Sequence, residues 1–310
     1  MKKIHEQEPG LDTDAILRSV VLVEASIPED SFTAPMLGTE RSGSGVVINE
    51  KGLVLTIGYI IAEAESVRLT TSSGRKVDAH PLAYDQESGF GLVQALSPLD
   101  LPALTFGDSG AVQPGAEVFI AGVGEVIKGR LVARQEFAGY WEYLLDEALF
   151  TAPTHPQWGG AGLVGSDGRL LGIGSLQLQA ATTGGTEDIN MIVPINLLQP
   201  ILDRLVSTGR SGNTARPWLG LYSVDHDGHV AVLNVDPRGP AAKAGVQAGD
   251  IIRDVRDQSV DSLTEFYREV WASGPAGAEI PIRIVRDGRE QWLRIRSADR
   301  NDFLHKPLLQ

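Results

Sequence analysis

Short apolar runs broken by glycine and small polar residues dominate the first two thirds of the chain: GSGVVINEKGLVLT, SVRLTTSSGRKVDA, AEVFIAGVG and GRLLGIGSLQLQ. Each run is strand-length and rich in the aliphatic and β-branched residues that suit a pleated, half-buried surface. The breaks hold turn residues, and the 35 glycines among 310 residues supply backbone conformations that tight turns need. Many short strands at this spacing predict a sandwich or barrel. Two helical patterns bracket the region. Residues 12–21 are expected to open it. Residues 194–205 are expected to close it, with Ile195, Leu198, Ile201, Leu202 and Leu205 on one face.

The pattern stops at 207–216, STGRSGNTAR, which has no period and runs into Pro217. Such a string reads as a linker. Charge divides at the same place: the net charge is -13, and all but one unit of it lies before Arg216. Beyond the linker, strands are predicted around 218–222, 230–235 and 280–286, with a helix over 262–272. Ser262 is the expected N-cap of that helix, and Glu265 completes a capping box. Asp287-Gly288 lies between two strand-like runs and marks a hairpin. The expected organisation is a first domain over 12–206, a linker over 207–215, a second domain over 216–298 and a tail over 299–310.

Several function classes are disfavoured at once. A strongly acidic chain is a poor partner for nucleic acid or an anionic membrane. No run of about 18 apolar residues is present, so no membrane span is expected. With Cys 0, disulfides, thiolate metal sites and a cysteine nucleophile are excluded. There is no HExxH, GxxxxGK or EF-hand string, so neither metal nor cofactor is expected. His226 and His229, in DHDGH, read either as a metal loop or, preferably, as a polar hairpin turn. The opening string MKKIHEQEPG lacks the apolar core of a secretory signal. A cytoplasmic location is the expectation, or a periplasmic one if a leader has been removed.

The order of these strings resembles the HtrA/Deg family, in which a chymotrypsin-like protease domain precedes a PDZ domain. GSGVVINEKGLVLT and SGRKVDAHPLAYD are similar to hairpins of the family's first barrel. LTFGDSG and PGAEVFIAGVG are similar to the opening of its second barrel, and INMIVPINLLQPILDRL to its last strand and C-terminal helix. RPWLGL followed by GPAAKAGVQAGDII is a specific PDZ signature. The resemblance covers roughly 14–298. It implies a mainly β fold: a chymotrypsin-like double β-barrel followed by a small α+β PDZ domain.

Carried over position by position, the resemblance implies that the protease chemistry is missing. Such catalysis needs a serine nucleophile, a histidine base and a carboxylate that orients the histidine. Where the family has TNNHV, this chain has TIGYI, which puts Tyr59 at the histidine. Where the family has a D-x-x-T/S-D-L-A string, this chain has DQESGFG. Asp85 and Ser88 match, and Gly89 stands at the carboxylate. Where the family has P-G-N-S-G-G-P-L, this chain has PQWGGAGL, which puts Gly159 at the serine and Gln157 at an oxyanion glycine. Trp158 reads either as a packing residue or as a plug in the vacated space, where it would meet Tyr59 ring to ring. His155, four residues before Gly159, is the one candidate for a migrated base, with no carboxylate placed beside it by pattern. His80 reads as a solvated surface residue.

The PDZ-like groove keeps its parts. PDZ domains take a peptide as an added strand and hold its terminal carboxylate on backbone N–H groups. The resemblance places that loop at Arg216, Trp218, Leu219, Gly220 and Leu221, with Phe266 and Val270 of the helix lining the pocket for a last apolar side chain. Phe266 also reads as core alone. The chain is therefore expected to be an inactive pseudoprotease that binds peptides or protein C-termini. The alternatives are a degenerate serine endopeptidase with a rearranged site, and a non-catalytic subunit that assembles with an active HtrA-like paralogue. Family oligomers use N-terminal aromatic residues, and this chain has none before Phe32.

Overall fold

Asp12 caps the opening helix α1 (Thr13–Arg18), its carboxylate accepting the Ala15 N–H at 2.8 Å. The helix is shorter than the apolar pattern over 12–21 predicts. Val20 and Val21 instead open a strand, β1 (Val20–Ser26), and are buried there against the barrel. In this computed structural model, residues 11–182 and 185–305 are described.

Two closed barrels make up the first unit of the chain. The first barrel follows β1 with a short helix α2 (Ala34–Leu37), then β2 (Glu40–Val47), β3 (Leu53–Ile57), the single-turn helix α3 (Gly58–Ile61), β4 (Ser66–Thr70), β5 (Lys76–Tyr84) and β6 (Phe90–Ala95). Its strands close in the order β1-β2-β3-β6-β5-β4, and Val46, Leu55, Leu69 and Leu92 are sealed inside. The second barrel is built from β7 (Glu117–Gly122), β8 (Glu125–Gly139), β9 (Tyr143–Ala152), β10 (Gly162–Gly165), β11 (Leu170–Thr182) and β12 (Gly185–Pro194), in the order β10-β11-β12-β9-β8-β7. Its core holds Val118, Ile120, Leu131, Leu149, Leu163 and Ile192. Closure leaves no sheet edge to be capped.

The closing helix expected over 194–205 is two pieces. Pro194 ends β12, a 3-10 turn covers Ile195–Leu197, and α4 spans Leu202–Thr208. Pro200 has no backbone N–H to continue a helix through that stretch. The last turn of α4 reaches into the stretch read as linker.

The second unit comprises Asn213–Leu304 together with Glu136–Asp146, the far ends of β8 and β9 and the turn between them. Its elements are β13 (Leu221–His226), β14 (His229–Val235), α5 (Pro240–Lys243), β15 (Ile251–Val255), β16 (Gln258–Ser259), α6 (Leu263–Trp271), β17 (Glu279–Arg286) and β18 (Arg289–Arg296). The sheet runs β13-β14-β15-β17-β18, with β16 paired to β15. DHDGH is a hairpin turn, with Asp227 and Gly228 both left-handed, and Asp287-Gly288 repeats the geometry. That is the backbone a two-residue hairpin requires. α6 turns Leu263, Phe266, Tyr267 and Val270 into the core. The strand expected at 218–222 starts only at Leu221, and Trp218 makes an isolated bridge to Ala298.

The architecture is the expected one: mainly β, a chymotrypsin-like double barrel followed by a small α+β unit. The cap of α6 also forms. Ser262 Oγ accepts the Glu265 N–H at 3.3 Å, and the Glu265 carboxylate reaches back to the Asp261 N–H at 2.8 Å. Ser262→Ala is expected to lower the stability of the second unit by about 1 kcal/mol, read from the midpoint of its urea transition.

Candidate functional site

α3 follows β3 without a loop and so places Tyr59 at the end of a barrel strand. The Tyr59 hydroxyl donates to the Ser175 carbonyl on β11 at 2.9 Å. Burial pushes its phenol above the ordinary range, so it stays neutral and holds its proton. Gly159 lies directly against it. A Cβ at 159 would sit 2.7 Å from the Tyr59 hydroxyl oxygen, closer than carbon packs. The phenol fills the space that any side chain at 159 would need.

Gly89 belongs to the turn between β5 and β6. The Asp85 carboxylate accepts the Ser88 N–H at 2.9 Å and the Ser88 hydroxyl at 2.6 Å, and the Gly89 N–H returns to the Asp85 carbonyl at 2.8 Å. This turn leaves Gly89 at φ 85, a left-handed backbone that strains a residue with a Cβ. The Gly89 carbonyl then accepts the N–H of Gly58, the neighbour of Tyr59, at 2.7 Å. The structure therefore joins Tyr59 to Gly159 directly and to Gly89 through Gly58.

The loop before Gly159 is held by backbone contacts. The Gln157 N–H donates to His155 Nδ1 at 2.9 Å, and the Gln157 carbonyl accepts the Ser44 hydroxyl at 3.3 Å. The other ring nitrogen of His155 meets the Glu125 carbonyl at 3.3 Å, and the His155 backbone N–H donates to the Asn190 side-chain oxygen at 2.7 Å. An Nδ1 that accepts leaves the proton on Nε2, so the ring is neutral, and burial holds its pKa below the ordinary value. His155 is thus a fixed strut of the loop, with both nitrogens engaged by main chain. The aromatic pairing expected between Tyr59 and Trp158 is not formed: among the described residues no ring contact joins them. The Tyr59 hydroxyl is drawn to β11 instead, and Trp158 is half-buried.

The second candidate site lies in the second unit. Leu219, Leu221, Phe266 and Val270 are all buried, in one apolar cluster. Gly220 has φ 80, which turns three consecutive N–H groups toward one point. That point holds the Glu142 carboxylate. Oε1 accepts from Gly220 at 2.7 Å and from Leu221 at 2.8 Å, and Oε2 accepts from Leu219 at 2.9 Å. Leu144 is buried in the same cluster as Leu219, Leu221, Phe266 and Val270. Trp218 packs on Phe303, with ring centroids 4.8 Å apart. Arg216 lies over the Trp271 ring, 4.5 Å from its centroid.

Glu142 has no counterpart among the residues singled out from sequence. It sits inside FAGYWEYLL, where a lone carboxylate among aromatic and aliphatic residues is the only signal. Burial pushes its pKa up to about 7, against the pull of the three N–H groups and of Arg300. Tyr267, whose hydroxyl accepts the Glu142 N–H at 3.3 Å, is itself shifted upward by burial. Burial also raises the Tyr222 phenol, with a smaller upward push from the charge of Glu142.

Comparison with known proteins accords with this geometry. A trypsin-like peptidase domain family matches residues 43–173, and a PDZ domain family matches 217–296. The chain is thus a trypsin-like domain joined to a PDZ domain. Its curated relatives are named serine endoproteases. Periplasmic serine endoprotease DegP of Escherichia coli K12 is 27% identical over 270 residues, covering 80% of this chain and 55% of the relative. Serine endoprotease DegS of the same strain is 26% identical over 275 residues, covering 82% and 75%. The chain spans little more than half the length of DegP. Among solved structures, the HtrA-type protease AlgW with a decapeptide aligns at TM-score 0.56 and 22% identity, covering 93% of this chain and 97% of that one. A serine endoprotease from Yersinia pestis aligns at 0.55 and 24%, covering 94% and 99%. These two show the shared fold.

Two outcomes follow. Gly159→Ser is expected to destabilise the first unit by about 1–3 kcal/mol, through overpacking against the Tyr59 hydroxyl. Adding Tyr59→Phe removes that oxygen, so the double variant should lose less than the sum of the single losses in a thermal-unfolding cycle. For Glu142, the pKa in the fold lies above the ordinary 4.5. Its contribution is therefore full below about pH 4.5 and fades as pH rises to about 7. Stability of the wild type relative to Glu142→Gln should fall across that window by on the order of 3 kcal/mol and stay flat above it, as read from urea unfolding at stepped pH.

Proposed function

We propose that this chain is an HtrA-like pseudoprotease, which keeps the trypsin-like scaffold, hydrolyses no peptide bond and acts by binding peptides or protein C-termini through its PDZ domain. The observation that carries the reading is the Tyr59 phenol seated against Gly159. A phenol held neutral by burial is a poor base at neutral pH. Gly89 and Gly159, at the positions the resemblance gives to the carboxylate and the nucleophile, offer no side chain. Loss of a triad serine or histidine alone lowers turnover by about 10⁶ in a well-studied protease. His155 does not substitute, because its nitrogens are engaged by main chain.

The relatives are named serine endoproteases, and several of them periplasmic. Their activity is not carried over to this chain. Their compartment is: a periplasmic place is favoured over the cytoplasmic one expected from the N-terminal string. No helix among the described residues is long and apolar enough to cross a membrane.

Binding is the activity left. The three N–H groups at 219–221 already hold a carboxylate, which supports the reading of that loop as a carboxylate site. Hydrogen bonds to a charged group are worth about 1.5–3 kcal/mol. Peptides with a free C-terminus should therefore bind roughly 10- to 100-fold more tightly than their amides, as measured by calorimetric titration. The purified chain should neither cleave unfolded casein above background nor take a fluorophosphonate label. Labelling at one specific serine would overturn the pseudoprotease reading.

A further inference from the structure

The turn between β8 and β9 meets the PDZ groove as a ligand would. In strand addition, a peptide lies along an edge strand and shares main-chain hydrogen bonds with it. Here the Ser223 N–H of β13 donates to the Tyr140 carbonyl at 2.9 Å. Two residues on, the Glu142 carboxylate takes the three N–H groups at 219–221. The two contacts come from one three-residue turn and fall on neighbouring positions of one edge, 219–221 and 223, so they belong to one docking mode. Leu144 then enters the apolar cluster that holds Phe266 and Val270.

α6 grips the same segment from its other side. Thr264 donates to Glu136 at 2.6 Å, and Arg268 bonds Glu136 at 2.6 Å and Asp146 at 2.8 Å. The Tyr267 hydroxyl donates to the Gly139 carbonyl at 2.8 Å. Glu142 itself has φ 60, a left-handed backbone uncommon for glutamate.

We infer that the segment Glu136–Asp146 is the groove's built-in ligand, with the Glu142 side chain in the place of a terminal carboxylate, so that an outside chain end binds only by displacing it. The inference rests on the reading of the groove as a carboxylate site. It makes the PDZ domain a closed receptor. The apparent affinity for an outside peptide is its affinity for the open groove multiplied by the fraction of molecules with the segment undocked. A competitor needs a free carboxylate for the N–H groups, a carbonyl two residues before it for Ser223, and an aliphatic side chain to replace Leu144 in the cluster.

The test uses the full chain as wild type, Glu142→Ala, Glu142→Gln and Arg268→Ala. Amide exchange is followed at 219–221, and an acetylated hexapeptide ending in leucine is titrated as the free acid and as the amide. The wild type should protect the three amides. In Glu142→Ala they should exchange at least tenfold faster while β17 stays protected, and the acid peptide should bind at least tenfold more tightly than to wild type and restore the protection. Arg268→Ala loosens the grip without touching the carboxylate and should shift both readouts the same way by a smaller factor. It serves in place of Glu142→Ala if that variant does not fold. Glu142→Gln keeps the shape but replaces one of the two acceptor oxygens with an NH2 that faces an N–H donor, so it should fall between wild type and Glu142→Ala.

Unchanged exchange at 219–221 in every variant, with peptide binding equal to wild type, would overturn the inference and leave the carboxylate site standing. Fast exchange with no acid peptide bound would overturn the reading of the groove itself.

Discussion

Three consecutive backbone N–H groups, at Leu219, Gly220 and Leu221, are turned toward one point and need an acceptor there. Buried main-chain donors left unpaired cost about as much as a lost hydrogen bond each. This need explains why the strand expected at 218–222 does not begin until Leu221. The N–H groups before it are spent on Glu142. It also explains how a glutamate comes to be buried. A carboxylate taken out of water is tolerated where several donors meet it.

The first unit resolves the opposite difficulty, a set of positions with too little side chain. A glycine at 159 would leave a void or water where a larger residue is absent. Tyr59 closes it: its hydroxyl end lies against Gly159 and donates to the Ser175 carbonyl, so a buried polar tip is satisfied and the space is filled together. The neighbouring turn at Asp85 and Ser88 keeps its hydrogen bonds around a glycine at φ 85. The scaffold around these positions is thus packed and bonded throughout.

Much of this was legible along the chain. Asp287-Gly288 and Asp227-Gly228 dictate their hairpins because both central residues must be left-handed. Ser262 and Glu265 cap α6 as their spacing implies. The helix patterns misled where tertiary pairing competed. Val20 and Val21 suit a helix face, and they equally suit the strand that pairs with β2. Ile195 and Leu198 share a helical face with Leu205, yet a 3-10 turn at Ile195–Leu197 and Pro200 interrupt the run.

The sequence by itself determined the two-domain plan, the strand-rich first part and the identity of the residues at 59, 89 and 159, because turn chemistry, periodicity and motif strings are carried by near neighbours. Tertiary structure alone decided what those residues meet. Tyr59 and Ser175 are 116 positions apart, and Glu142 and Leu219 are 77 apart. Contacts at that separation follow from how barrels close and sheets dock, and no local pattern records them. A glutamate in an aromatic string becomes a carboxylate ligand only when the folded chain brings three N–H groups to it.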